Sequence, residues 1–299
     1  MINFQPVRIE DKKVIDQFFL KSTYRNCDFS FSNILCWQHE YNTTFAIEGG
    51  FLFFRFYAGY NNPGYMMPLG DGDLNVALDL LRKDAGERDC PLVLYAITVE
   101  MFARIEAASP GEFEYKSDRD WSEYIYNAED LIYLKGKKYQ SKRNHINKFK
   151  KTYNYEYLPI TREIIPDCLE LYYKWCAENG NCREDPSLIE ERYATQKAFR
   201  YFEQLELKGG AIRVDGKIIA YSYGQQITED TFAVHAEKSL YEIDGGFSAI
   251  NQMFAEQECK GYLYINREED LGLESLRKAK DSYHPAFLLE KGFASQKKS

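Results

Sequence analysis

The chain has 299 residues, 44% of them hydrophobic, and a formal net charge of −8. That length supports a sizeable core and, at roughly 100–200 residues per domain, two domains; the acidic balance excludes polyanion binding by bulk charge, so any phosphate or tRNA contact needs a local basic patch. The seven cysteines are odd in number and contain no C-x-x-C pair, which argues against a secreted disulfide framework and a zinc site and makes a reducing cytoplasm the simplest location.

No run approaches the ~18 apolar residues of a spanning helix, and the N-terminus, with Arg8, Glu10, Asp11, Lys12 and Lys13, has no signal-like apolar stretch. In chain order, Val14, Ile15, Phe18 and Phe19 recur at helical spacing behind Glu10 and Asp11. A second helix is expected over Ser30–Tyr41, capped by Ser30 or Ser32, with Ile34, Leu35 and Trp37 facing inward. Two strands joined at Gly49-Gly50 follow, then a short extended piece over Tyr65–Gly70. Leu74, Ala77, Leu78 and Leu81 mark an amphipathic helix, Pro91–Ile97 a buried strand, Met101–Ala108 a short helix and Glu112–Lys116 a strand.

From Leu134 to Lys151 the composition turns basic, directly after the acidic and aromatic segment 118–130. Two readings stay open for this expected helix: a solvated bridge, as most charge runs are, or a phosphate-contacting wall of a cleft, since its sign opposes that of the whole chain.

The second half repeats the order of the first. Glu163–Glu178 and Leu188–Leu207 read as helices, with Cys176 and Cys182 flanking a helix end at Asn179-Gly180. The stretch from Ala211 to Gln257 then reads strand, turn, strand, turn, strand, glycine loop, helix. Asp215-Gly216 supplies a two-residue hairpin turn, and in Thr231–Glu237 the alternation sets Phe232, Val234 and Ala236 on one face and His235 and Glu237 on the other. After Gly245-Gly246, Phe247, Ile250, Met253 and Phe254 recur at helical spacing, so a helix N-terminus opens behind the glycines, where unpaired backbone N–H groups can meet an oxygen-rich ligand. A strand over Gly261–Ile265 completes the series. The expected organisation is α/β, a tandem duplication with mixed sheets flanked by helices: residues 1–133, a basic inter-domain helix over 134–152, and residues 153–299 carrying the cleft.

The tail, Glu269-Asp270-Leu-Gly272 through Leu276-Arg277, Lys280, Tyr283 and Pro285, resembles the C-terminal catalytic domain of phosphatidylglycerol lysyltransferases, where a G-L-R-x-x-K-x-aromatic-x-P pattern recurs; here the glycine sits earlier, at Gly272. The block Lys135–Lys151 is similar to that family's inter-domain helix, and with the hairpin and Gly-Gly loop the likeness covers essentially the whole chain. What the resemblance implies is a pair of GNAT-like acyltransferase folds, similar also to Fem-type aminoacyltransferases, with aminoacyl-tRNA as acyl donor. The lysyltransferases proper carry a large membrane-embedded domain, and these 299 residues contain none.

Acyl transfer needs an oxyanion donor, a base and charge complementarity to the leaving group. Backbone amides at Gly245 and Gly246 are candidates for the first. Glu237 is a candidate base or amine-binding carboxylate, or else a half-exposed strand residue. Asp270 and Glu269, past the last strand, are candidates for catalysis and substrate binding, or helix N-terminal charges. Arg277 and Lys280, one turn apart, can point at one anion, and Tyr283 can donate a proton or simply pack. Lys138, Lys142, Arg143 and Lys148 would meet tRNA phosphates. His145 and His235 lack metal-type partners, so no metal is expected, and no cofactor beyond the donor. Glu242 and Asp244 occupy the loop where coenzyme A would place its pyrophosphate, a repulsion of roughly 1–4 kcal/mol at surface dielectric. The first expectation is therefore a cytoplasmic aminoacyltransferase taking charged tRNA; an acetyl-CoA-dependent N-acetyltransferase and a non-catalytic binding module of the same fold are the alternatives.

Overall fold

A computed structural model describes residues 2–57, 62–179 and 185–297, so that Gly180 and Cys182 of the expected helix end lie outside the described residues. The chain forms two compact units. The first comprises Met1–Glu123, Glu269–Arg277 and Leu288–Ser299; the second comprises Tyr124–Glu268 and Lys278–Phe287.

Each unit is a mixed sheet flanked by helices. In the first, the strand order is Gln5–Pro6, Thr44–Glu48, Phe51–Phe56, Gly64–Tyr65, Val93–Thr98, Lys291–Gln296 and Phe113–Ser117. Its helices start where the sequence supplies caps. Asp73 accepts the Asn75 amide at 2.9 Å to begin Leu74–Gly86, and Thr98 accepts the Met101 amide at 3.3 Å to begin Val99–Ala108. Ala77, Leu78, Leu81 and Ala85 form the buried stripe of the former. The helix expected over Ser30–Tyr41 breaks at Trp37 into Phe31–Cys36 and Gln38–Tyr41.

In the second unit, Glu123–Asn127 lies beside Tyr264–Asn266, followed by Thr231–Ser239, Lys217–Gln226, Lys208–Val214 and Tyr155–Pro159. The hairpin turn forms as expected, with Asp215 at φ 48° and Gly216 at φ 80°. One face of this sheet packs on the helix Gly246–Glu258, where Phe232, Val234 and Phe254 share a cluster with Tyr126, Ile265 and Tyr283. Tyr221 and Tyr223, on strand Lys217–Gln226, meet Phe199 of the helix Pro186–Arg200 edge-on. That helix ends at Arg200, short of the expected Leu207.

The expected division at residues 133 and 152 differs from the observed one for a topological reason. Ile125, Tyr126 and Asn127 pair antiparallel with Asn266, Ile265 and Tyr264, which draws the chain into the second unit from Tyr124 onward. The C-terminal strand Lys291–Gln296 in turn inserts between Val93–Thr98 and Phe113–Ser117 of the first. Each sheet thus takes a strand from the other half of the sequence, and neither unit is a continuous segment. Among the described residues no helix is long and apolar enough to cross a membrane.

Candidate active site

The second unit's sheet opens at one point. Thr231, Phe232 and Ala233 pair in parallel with Tyr264, Ile265 and Asn266, and there the pairing stops. Past Asn266 the chain continues along its other neighbour instead: Arg267 donates its amide to the Tyr124 carbonyl at 3.0 Å, and Tyr124 donates to the Glu268 carbonyl at 3.2 Å. The turn is fixed by Asn266, whose side chain accepts the Glu268 amide at 2.7 Å, with Glu268 at φ 57°.

On the opposite side of the opening, strand Thr231–Ser239 carries a bulge. Gly224 pairs with Val234 and Tyr223 with Ala236, so His235 is the extra residue. The bulge resets the alternation. Ser222, on the face of Gly224 and Gln226, now pairs with Glu237, which places Glu237 on the same face as Phe232 and Val234. The sequence expectation that Glu237 points away from Val234 is therefore corrected. Lys238 takes the other face, where its ammonium stands 3.6 Å from the Trp175 ring and 2.6 Å from Glu191. Gly224 is needed at the bulge, because a Cβ there would meet the Ala233 carbonyl oxygen at 1.9 Å.

Side chains bridge the gap that the backbone leaves. His235 Nδ1 lies 2.8 Å from Glu268, and Arg267 Nη2 donates to Glu237 Oε1 at 3.0 Å. The other oxygen, Oε2, accepts Asn251 Nδ2 of the Gly246–Glu258 helix at 2.9 Å. Glu237 and Arg267 are both nearly buried, with side chains 13% and 11% exposed. Burial alone would lower the Arg267 pKa, but the carboxylate of Glu237 holds it above its ordinary value.

A second cation stands beside this pair. Lys142, on the basic helix Gln140–Thr152, donates to Ser282 Oγ at 2.6 Å and lies 3.8 Å from the centroid of the Tyr283 ring, which the Arg267 guanidinium also approaches at 4.9 Å. Burial, and then the charge of Arg267, bring the Lys142 amine down to about 8 against the pull of Glu237. Tyr283 is buried and hydrogen-bonded to Ser248, and burial pushes its phenol up to about 12. Glu237, Arg267, Asn251, Lys142 and Tyr283 therefore combine a fixed guanidinium with an amine that changes charge near neutral pH.

The structure brings together three of the expected residues, Glu237, Lys142 and Tyr283, and gives the others different surroundings. Lys280 is buried, and its ammonium donates to the carbonyls of Arg267 at 2.6 Å and Glu268 at 3.2 Å, fixing the strand end. Arg277 belongs to the first unit, where it binds both oxygens of the fully buried Asp270 at 2.8 Å and Asp120 at 2.6 Å. Asp270 also accepts Arg119 and the Gly272 amide, so this pair folds its own turn. Glu269 lies in the first unit near Lys291, at 3.6 Å.

The glycine loop is also engaged. The Gly246 amide donates to the Ile243 carbonyl, and a Cβ on Gly245, which has φ 78°, would meet the His145 carbonyl oxygen at 2.5 Å. The loop thus packs on the basic helix instead of leaving both amides to a ligand. Arg143 donates to the carbonyls of Leu134 and Gly136, Lys148 pairs with Asp244, and Lys138 pairs with Asp130 at 3.5 Å, the last two lysines remaining exposed. Among the described residues, Cys27, Glu123 and Glu269 approach one another closely enough to hold a metal ion, but the Lys291 ammonium stands 2.6 Å from Glu123 and already supplies positive charge there.

Arg267 and Asn251 were not foreseen. Each sits in an unremarkable sequence context, and only the end of the parallel pairing and the bulge at His235 turn them toward one carboxylate.

Comparison with other proteins follows this architecture. A conserved protein of unknown function from Bacteroides thetaiotaomicron VPI-5482 is 45% identical, with a TM-score of 0.95 over 99% of this chain and 100% of that one. The structure of L-PGS from Bacillus licheniformis is similar at 16% identity and a TM-score of 0.70, over 97% and 93% of the two chains, and FemX at 10% and 0.63, over 98% and 97%. At those identities the likeness is one of fold, and a tandem GNAT protein from the clavulanic acid biosynthesis pathway is similar in the same sense, at 10% identity and a TM-score of 0.50 over 100% of both chains. An uncharacterized protein of Mycoplasmoides gallisepticum is 27% identical over 173 residues, 56% of this chain and 54% of that protein, so the chain spans about half the length of this curated relative. A family model described as phosphatidylglycerol lysyltransferase, C-terminal, matches residues 21–291, and the chain belongs to that family.

Proposed function

We propose that the second unit is an acyltransferase site that moves an aminoacyl group from a charged tRNA to an amine or hydroxyl acceptor. The observation that carries this reading is the opening after Ala233 and Asn266, lined by Arg267 on Glu237 and flanked by Lys142. Family membership and fold support an acyltransferase of the aminoacyl type; donor and acceptor belong to the proposal.

The chemistry assigned to the residues is as follows. Arg267, a buried and permanently charged donor, faces the ester carbonyl and offsets negative charge as the tetrahedral intermediate forms. Lys142, with its amine at about 8, is substantially neutral in mildly alkaline solution and accepts the proton that the acceptor nucleophile loses. A bond forms between the acceptor nitrogen or oxygen and the acyl carbon, the ester C–O bond breaks, and the proton passes to the released ribose hydroxyl. Glu237 is occupied on both oxygens, so it positions Arg267 and Asn251 rather than serving as the base. The Gly245 loop packs on His145 and its Gly246 amide already donates to the Ile243 carbonyl, which disfavours the pyrophosphate cradle that coenzyme A needs.

The test is a thermal-shift and transfer experiment with tRNA bearing radiolabelled amino acids, and with coenzyme A as the contrast. Saturating ligand at ~100 times its Kd adds about 2.7 kcal/mol to a native state it binds exclusively. Stabilisation by charged tRNA and loss of label to an added amine or lipid extract, both reduced by Lys142→Met, are expected. Stabilisation by coenzyme A with none by charged tRNA overturns the reading.

A further inference from the structure

The first unit holds a cavity of about 320 Å³, at the lower end of the roughly 300–1,000 Å³ of small-molecule sites. Three stretches line it: residues 21–24 after the helix Lys12–Phe19, residues 68–71 beside Gly50, and Arg104 of the helix Val99–Ala108. Local contacts fix the first. Ser22 donates its amide to the Phe19 carbonyl at 2.9 Å and accepts the Tyr24 amide on its hydroxyl oxygen at 3.1 Å, which turns the chain. Tyr24 is buried, its ring 5.7 Å from that of Phe29.

Donors gather on one side of the chemistry. Arg104 Nη1 donates to the Tyr24 hydroxyl oxygen, and among the described residues Arg104 has no carboxylate partner. The phenol keeps its proton, because burial raises its pKa although Arg104 pulls the other way. With its oxygen engaged, that hydroxyl still has a proton to donate, and no acceptor takes it among the described residues. Guanidinium and phenol thus present two donors side by side.

The charges have the same sense. Lys21 and Arg104 are the cations of the lining and Asp71 is its carboxylate, a surplus of one positive charge on a chain of net charge −8. Lys21 lies 3.0 Å from Asp71 with both side chains largely exposed, so water screens that pair and its hold on Lys21 is weak. Glu100, the smallest of the influences on Tyr24, does not line the cavity. Beside the donors stand apolar groups, Phe18 half-buried and Pro68 and Leu69 buried. A carboxylate on an apolar body matches both parts, since each of its oxygens takes one donor and its single charge balances the surplus. A phosphate monoester brings close to a second negative charge that the lining does not balance.

We propose that this cavity binds a small organic monocarboxylate, with Arg104 and Tyr24 holding the carboxylate and Phe18 and Leu69 flanking its apolar body. The cavity shares no residue with the acyl-transfer site, so neither reading depends on the other.

The experiment is a ligand-observed NMR titration of the full chain with butyrate, 4-methylpentanoate, phenylacetate and 3-phenylpropionate. Each acid is compared with its amide, and the aromatic acids also with phenyl phosphate. For ligands of this size a best Kd on the order of 1 mM is expected. The matching amide should bind about 10-fold more weakly, because it lacks the charge that strengthens both hydrogen bonds. Arg104→Gln and Tyr24→Phe should each weaken the best acid by about 10-fold. Neither should disturb the fold, since Arg104 is exposed and Tyr24→Phe keeps the ring against Phe29. The proposal is overturned if no acid binds saturably to folded wild-type protein, or if acid and amide bind equally. Tighter binding of phenyl phosphate overturns it too, as does acid binding that neither substitution weakens.

Discussion

Glu237 and Arg267, thirty residues apart, meet at 3.0 Å where their two strands have ceased to pair, and the ion pair takes over from the backbone ladder. Both side chains are nearly buried, so removing one leaves the other without compensation. Arg267→Leu should destabilise the protein by roughly 3–5 kcal/mol in chemical denaturation. Adding Glu237→Leu should restore part of that loss, giving a coupling on the order of 1–3 kcal/mol in a double-mutant cycle. Additive effects would mean that the pair contributes nothing as a pair.

Lys142 should be distinguishable from the exposed lysines of its helix by titration. In protein whose lysines carry 13C-labelled methyl groups, one resonance should titrate near 8, against the ordinary value of 10.5, and disappear in Lys142→Met. Glu237→Gln removes an attraction and should lower that midpoint further, whereas Arg267→Leu removes a repulsion and should raise it. Opposite shifts would show that neither group acts on the amine.

The first unit holds a buried charge cluster with its own pH signature. Lys291 lies 2.6 Å from Glu123 and 2.8 Å from Asp28, so two carboxylates compete for one ammonium. Burial pushes Glu123 up to about 7, while Lys291 holds Asp28 below its ordinary value despite burial. The signs differ accordingly. Glu123, raised, contributes stability that is complete below about 4.5 and is lost as pH rises through about 7; Asp28, lowered, contributes stability lost only in strong acid. Denaturation midpoints should therefore fall between pH 5 and 8, and Glu123→Gln should flatten that decline. Lys291→Met should cost roughly 3–5 kcal/mol at pH 8 and less at pH 5, where Glu123 can take up a proton. A wild-type midpoint that rises across this interval would contradict the assignment.

Gly245 and Gly216 form a matched comparison. Both have φ near 80°, but a Cβ at Gly216 meets nothing within 4 Å, whereas one at Gly245 meets the His145 carbonyl oxygen at 2.5 Å. Gly216→Ala should cost only the backbone term, roughly 1–2 kcal/mol. Gly245→Ala should cost that and a further ~1–3 kcal/mol for forcing the basic helix away. Equal losses, read from denaturant midpoints, would show that the loop is not packed on that helix.

Much of the fold was legible in the residue order because the signals are local. Asp215-Gly216 between β-branched runs favours a hairpin through its own backbone angles, and Asp73 and Thr98 start helices through their own side chains.

The site was only partly legible. Glu237 was singled out as a base or amine-binding carboxylate and Lys142 for tRNA phosphate, but the face of Glu237 was misjudged, since strict alternation cannot register a bulge at His235 that depends on the partner strand. Arg277 and Lys280, one turn apart, appeared to serve one anion; Asp270 claims the first and two backbone carbonyls the second.

The amino-acid order by itself determined the elements, their sequence and the α/β class, because turn residues, caps and apolar periodicity act over a few positions. Only the tertiary structure decided that the C-terminal strand completes the first sheet, that Glu123–Asn127 extends the second, and that Arg267 and Asn251 share the carboxylate of Glu237. Those contacts join residues far apart in sequence, and the burial that makes each ion pair consequential exists only once the sheets have closed around it.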